Sequence, residues 1–259
     1  MLVAAVQTNL FWENSKKNFA HIEQLLKHTN NIDLIVLPEM FPSGFSMNPI
    51  SISEPENGPT LKWMQALSRE KKAVVIGSVA IRREKKFFNS LLWVTPDGKY
   101  NCYDKRHLFR MAGENNYYEE GKELMLESVA SFKCCPLICY DLRFPVWSRN
   151  IKKDQSFKYD VLIYIANWPS PRIDAWTTLL KARAIENQAF VIGVNRVGID
   201  GNNVDYCGES RIFDPKGDRM DKFESNQEQV EIVHLNKSFL EKYRKDFPVH
   251  LDADMFKII

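Results

Sequence analysis

Residues 136–145 read PLICYDLRFP: Pro136-Leu137-Ile138 is apolar, Cys139 follows, and Tyr140-Asp141-Leu142-Arg143 turns polar before Phe144-Pro145. With Cys135 ahead of it, this reads as a buried strand that stops at a thiol and breaks into a sharp turn. A strand-to-turn junction can hold a nucleophile above a sheet, with the next backbone N–H turned toward a reacting oxygen. The turn is expected to open a short helix over residues 144–150.

Outward from that turn, strand-like and helix-like stretches alternate. Before it come a compact apolar run at 2–7, then a helical face marked by Phe19, Ile22, Leu25 and Leu26 over 15–28. A buried strand follows at 33–37, stopped by Pro38, and Gly58-Pro59 opens a helix with Leu61, Met64 and Leu67 inward. Strands are expected at 73–81, 87–95 and 99–104, the last two joined as a hairpin by Pro96-Asp97-Gly98. Residues 105–121 form a long loop, which in a compact domain is usually functional or disordered. Beyond the turn come a strand at 161–166, a helix at 172–188 with Ile173, Trp176, Leu180 and Ala184 on one side, and strands at 190–195, 210–213 and 229–235. A last helix is expected near 238–245. The alternation implies an α/β protein, and the hairpin excludes a wholly parallel sheet.

Two further segments carry reactive side chains. LPEMFPSGF places Glu39 directly after a buried strand, where an unpaired carboxylate is costly. YDKRHLF places Lys105 at the end of strand 99–104. A thiol, a carboxylate and an ammonium are the parts needed to attack a carbon–nitrogen bond: nucleophile, proton carrier and stabiliser of developing charge. Cys134 and Cys135 read instead as buried cysteines acting as small hydrophobes.

The three wordings, in this order, resemble the nitrilase superfamily of carbon–nitrogen hydrolases, over nearly the whole chain. The resemblance implies a four-layer αββα sandwich, two sheets face to face with helices outside, in one hydrolase domain spanning 1–259. It implies Cys139 as nucleophile, Glu39 as general base and Lys105 as oxyanion stabiliser beside the Tyr140 N–H. A second glutamate is implied in the loop. Glu114 in MAGE, seven residues before Gly121, is the candidate, with Glu119 and Glu120 near enough to compete. ANWP (166–169) resembles the segment on the opposite pocket wall, so Asn167 and Trp168 either shape the cavity or serve packing. Arg143 either binds a substrate carboxylate or pairs with an acid to hold the turn.

Composition narrows the class. The chain has 259 residues, 44% hydrophobic and 26% charged, which suits one sizeable core. A formal net charge of +2 gives no bias toward nucleic acid. Five cysteines, an odd number without a CxxC pair, argue against a disulfide framework or zinc site and for a reducing compartment. The N-terminal run reads as a strand, not a signal peptide, and no stretch reaches the roughly 20 apolar residues of a membrane span. A cytoplasmic protein is expected. No cofactor or metal is expected, since HExxH, a phosphate loop and spaced histidine pairs are missing.

HLFRMAGE, CYDLRFPVWSRN, ANWPSPR, ARAIENQAFVIGVNRVG and EKYRKDFP are similar to bacterial omega-amidases. These hydrolyse the terminal amide of 2-oxoglutaramate or 2-oxosuccinamate to a 2-oxo dicarboxylate and ammonia. Such a substrate needs a cation or several hydrogen-bond donors in the pocket, and Arg110, Arg143 and Arg196 all stand in motif segments without a sequence reason to choose between them. The resemblance also implies a homodimer, with residues 238–259 reaching the partner. Competing readings are an aliphatic amidase, an N-carbamoyl amino acid hydrolase, a nitrilase, a Cys–His enzyme with His107 as base, and a non-catalytic scaffold of the same fold.

Overall fold

The structure is a computed structural model that describes residues 1–150, 154, 156–254 and 256. The N-terminal apolar run forms strand β1 (Leu2–Gln7), followed by α1 (Ser15–Leu25), β2 (Leu34–Val36), the one-turn α2 (Pro49–Ile52) and α3 (Pro59–Lys71). The meander β3 (Val74–Arg83), β4 (Lys86–Val94) and β5 (Tyr100–Asp104) comes next. After the long loop lie β6 (Glu127–Val129), β7 (Phe132–Ile138), β8 (Val161–Ala166), α4 (Ile173–Asn187) and β9 (Phe190–Asn195). The chain closes with β10 (Val197–Ile199), β11 (Asp205–Cys207), β12 (Arg211–Phe213), β13 (Gln229–His234) and α5 (Lys237–Asp246).

Among the described residues these strands make two large sheets, ordered β13-β1-β2-β3-β4-β5 and β12-β9-β8-β7-β6, and a small β10-β11 ribbon. Each large sheet has a parallel centre, β1-β2-β3 in one and β7-β8-β9 in the other, with antiparallel edges. Parallel centres must be covered on both faces, which is why these strands are mostly apolar.

The period of two along β1 shows how. Val3 and Ala5 face the second sheet, in one core with Ile138, Ile163 and Ile192. Ala4 and Val6 face the other way, onto Ile22 and Leu26 of the α1 segment and Leu61, Met64 and Leu67 of α3. On the far side of the second sheet, Trp176, Leu180 and Ala184 of α4 are fully buried. Gly193 in β9 lets α4 approach, since a Cβ there would run into the Leu180 side chain. The αββα order of layers expected from the resemblance is the observed one. α5 docks through Arg244, which reaches Asp160 (2.9 Å) and the carbonyls of Tyr159 and Gln188.

Three local expectations change. No helix forms over residues 144–150. A 3₁₀ turn occupies Cys139–Arg143 instead, and the backbone beyond it makes only turns. Pro145 offers no N–H, and the Asn150 side chain spends its groups on Tyr159 and Asn187. The ribbon β10-β11 and the short β6 carry too little apolar pattern to read in the sequence. The 105–121 loop contains two 3₁₀ turns, Arg110–Ala112 and Glu114–Asn116. Among the described residues no helix is long and apolar enough to cross a membrane. Of the proposed partner-facing tail, residues 255 and 257–259 lie outside the described residues.

Candidate active site

The site lies where the C-terminal ends of strands from both sheets meet. Glu39 follows β2, Lys105 follows β5, Cys139 follows β7 and Asn167 follows β8. Glu39, Lys105 and Glu114 are all fully buried. The Lys105 ammonium donates to Glu39 Oε1 at 2.8 Å and to Glu114 Oε2 and Oε1 at 2.9 and 3.1 Å. It also lies 5.0 Å over the Phe45 ring. Burial alone would push this ammonium down, but Glu114 and then Glu39 outweigh it and hold Lys105 above its ordinary range. Burial pushes the Glu114 carboxyl up. Lys105 pulls it back and Glu39 pushes again, leaving it above the usual carboxylate range.

Glu114 is thus the loop glutamate that joins the cluster. Glu119 and Glu120 are exposed and pair instead with Lys86 (3.4 Å) and Arg106 (3.5 Å). Gly121 explains the spacing. Its N–H donates to the Lys105 carbonyl (2.9 Å), and a Cβ would collide with the Asp104 carbonyl oxygen. Only glycine lets the loop return tightly enough to bring Glu114 back over Lys105.

Glu39 is held from four directions. Besides Lys105, Asn89 Nδ2 donates to Oε1 at 2.8 Å, the Asn167 N–H donates to Oε2 at 2.8 Å, and Asn167 Nδ2 donates to the Glu39 carbonyl at 2.6 Å. Sequence reasoning missed Asn89, which touches Glu114 as well (3.3 Å). The polar pair Asn89-Ser90 inside an apolar strand was the available signal. Phe45, the last residue of LPEMFPSGF, was likewise missed.

Cys139 adopts a left-handed backbone conformation, φ 45°. For a residue with a Cβ this costs of order 1–3 kcal/mol and persists only where neighbours enforce it. Asp141 does so: Oδ2 accepts from the Ile138 N–H (3.0 Å) and the Tyr103 hydroxyl (2.8 Å), and Oδ1 accepts from the His107 N–H (3.0 Å). The thiol points at the Asn167 carbonyl, 3.9 Å away. Burial, then the negative charge of Glu39, push the thiol well above its usual range, with Lys105 opposing. The resting sulfur is therefore protonated, unlike the thiolate of a Cys–imidazolium pair.

His107 does not enter this group. Its Nδ1 lies 2.8 Å from Asp141 Oδ1 and its ring stacks on Phe144 at 3.8 Å. A cavity of about 350 Å³ opens above the thiol, lined among others by Lys105, Tyr140, Arg143, Asn167 and Trp168. Of the three arginines singled out by sequence, only Arg143 lines it. Its guanidinium lies 4.9 Å over the Trp168 ring and makes no ion pair among the described residues, so the acid-paired turn expected as its alternative role is not present. Arg110 is exposed beside a neighbouring depression, away from the thiol. Arg196 is buried, bonded to Asn9 Oδ1 (2.9 Å) and backbone carbonyls, and packed on Tyr206.

Comparison with known proteins agrees with this architecture. The family model described as carbon-nitrogen hydrolase matches residues 2–245. The omega-amidase YafV of Escherichia coli K12 is 41% identical over 256 residues, covering 99% of this chain and 98% of that protein. The 2-oxoglutaramate amidase of Bacillus subtilis strain 168 is 36% identical over 208 residues, covering 79% of this chain and 78% of that protein. XC1258 from Xanthomonas campestris, a CN-hydrolase superfamily protein whose crystal structure has an arsenic adduct in the active site, superposes with a TM-score of 0.96. It is 40% identical, with 100% of this chain and 99% of that one covered. With a family match over nearly its full length, and two sheets that converge on a buried carboxylate, ammonium and thiol, the chain belongs to the carbon–nitrogen hydrolase family.

Proposed function

We propose that this hydrolase is an omega-amidase, cleaving the terminal amide of 2-oxoglutaramate or 2-oxosuccinamate through a cysteine thioester. The observation that carries the chemistry is the Lys105 ammonium bonded at once to Glu39 and Glu114, at 2.8 and 2.9 Å, beneath the cavity that holds Cys139. The substrate class rests on the full-length likeness to an omega-amidase and on Arg143, a cavity-lining cation without an ion pair among the described residues.

Glu39 takes the Cys139 proton, and sulfur attacks the amide carbon. The carbonyl π electrons move to oxygen, where the Lys105 ammonium and the Tyr140 N–H stabilise the charge. Collapse breaks the carbon–nitrogen bond as Glu39 returns the proton to nitrogen, and ammonia leaves a thioester. Glu39 then draws a proton from water. The hydroxide oxygen displaces sulfur, and the proton goes back to the thiolate. Glu114 keeps Lys105 in place through both halves. Asn167 and Trp168 form the wall along which the substrate lies, and Arg143 takes its carboxylate.

Ammonia release from 2-oxoglutaramate tests the reading. Wild-type protein is expected to prefer it to simple aliphatic amides, N-carbamoyl amino acids and nitriles, and Cys139→Ala is expected to be inactive. Preference for another of these classes overturns the substrate assignment, and near-normal turnover by Cys139→Ala overturns the thioester route. We infer also a one-domain cytoplasmic homodimer. Five free cysteines suit a reducing compartment, and exposed Phe247, Leu251 and Phe256 suit a tail that meets a partner. A monomer by sedimentation would overturn the dimer.

A further inference from the structure

Besides Lys105 and Arg143 the cavity holds a third cation, which no local sequence pattern marks. Arg172, the last residue of ANWPSPR, lines it on the same wall as Trp168. Its guanidinium has no carboxylate partner among the described residues. It lies 5.7 Å over the Phe109 ring and approaches Met111 Sδ at 2.8 Å. A thioether is a weak acceptor and a ring face a weak attractor, so the charge is poorly compensated. The other charged groups of the cavity are committed. Lys105 is shared between two glutamates. Asp200 accepts from the Tyr206 hydroxyl (3.0 Å) and from the N–H groups of Asn202 (2.8 Å) and Val204 (3.0 Å). Two guanidinium groups therefore remain for an anionic ligand, Arg143 and Arg172.

Trp168 touches both residues, the Arg143 side chain through its ring and the Arg172 backbone through its N–H. Arg143 lies on its ring at 4.9 Å, and its indole N–H donates to the Arg172 carbonyl at 2.8 Å. A 2-oxo acid head presents three acceptor oxygens, two on the carboxylate and one on the ketone. One guanidinium fork satisfies a carboxylate in bidentate fashion and leaves the ketone without a charged donor. We propose that Arg172 is a specificity-determining residue that, with Arg143 across the Trp168 indole, grips the 2-oxo acid head of the substrate. This rests on the omega-amidase reading and adds the subsite that reads the end remote from the scissile amide.

The experiment compares wild type, Arg172→Met and Arg172→Lys on 2-oxoglutaramate and on pentanamide, which has the same length without the 2-oxo acid head. Inhibition of pentanamide hydrolysis by 2-oxovalerate gives an independent reading of head binding. Arg172→Met is expected to lower kcat/KM for 2-oxoglutaramate by about 10- to 150-fold, the range for losing a charged hydrogen bond, mainly through KM. Pentanamide should change less than about twofold, 2-oxovalerate inhibition should weaken in parallel, and Arg172→Lys should recover part of both. Equal losses on both substrates, or no loss with unchanged 2-oxovalerate inhibition, overturn the role of Arg172 while leaving the omega-amidase reading intact. Wild-type protein inactive on 2-oxoglutaramate but active on pentanamide overturns both.

Discussion

Replacing Glu114 with glutamine removes one charge and one acceptor from a position where four donor contacts converge. Oε2 accepts from the Phe109 N–H (2.6 Å) and from Lys105 (2.9 Å), and Oε1 accepts from Lys105 (3.1 Å) and Asn89 Nδ2 (3.3 Å). Whichever way the amide turns, its NH₂ faces donors. The cheaper choice puts nitrogen at the Oε1 position, where the contacts are longer, and sacrifices the Asn89 bond and one of the two to Lys105. Losing one hydrogen bond to a buried charge costs about 1.5–3 kcal/mol. If that is expressed in Lys105 placement, kcat and kcat/KM for ammonia release should fall together by about 10- to 150-fold. Glu114→Ala goes further, because it strips a fully buried ammonium of one of its two carboxylates, a change worth about 3–5 kcal/mol. At about 2–4 °C per kcal/mol for a chain of this size, its melting temperature should drop by roughly 6–20 °C. Glu119→Gln and Glu120→Gln serve as controls, since exposed pairs are worth about 0–1 kcal/mol. Wild-type kcat/KM in Glu114→Gln, or equal losses in the two controls, would refute the assignment.

Glu39→Gln should reduce ammonia release by at least about a thousandfold, toward the upper range for losing a general base, because it also takes one of the two carboxylates from Lys105. His107→Asn should cost less than about tenfold, acting only through Asp141, and the reverse ranking would restore a Cys–His mechanism. Because burial and Glu39 raise the Cys139 thiol, its thiolate fraction is small at neutral pH and grows as pH rises. Iodoacetamide labelling of Cys139, followed by mass spectrometry, should therefore keep climbing through pH 9, and a plateau below pH 8 would contradict the protonated resting thiol. Gly121→Ala should force the loop off Asp104 and cost about 1–3 kcal/mol, a fall in melting temperature of roughly 2–12 °C, with activity lost in step. An unchanged thermal melt would show that the loop return is not tight.

What could be read without coordinates follows a physical divide. Strands such as 161–166 and 190–195 are legible because burial on both faces demands unbroken apolar runs, and α4 because Trp176, Leu180 and Ala184 recur at helical spacing. Glu39 and Cys139 were legible because each follows such a run in a distinctive wording, and Lys105 through the wording YDKRHLF alone. Asn89 was not, since its importance lies in which carboxylates it meets across strands. Arg172 was passed over because a lone arginine carries no local pattern, and its want of an acidic partner is a property of three dimensions. The helix expected at 144–150 failed because side-chain bonds of Trp147 and Asn150, to residues on other elements, outcompete the local backbone ladder.

The proposed base and nucleophile come from different halves of the molecule, Glu39 from the first sheet and Cys139 from the second, and Asn167 stitches the two sheets with two bonds to that glutamate. During synthesis the ribosome therefore releases the acid, the amine and the loop glutamate before the sulfur exists. A nascent or half-unravelled chain can carry an ordinary, sluggish thiol but no proton acceptor aligned with it. Loss of turnover should therefore register the parting of the two halves before bulk spectroscopy does.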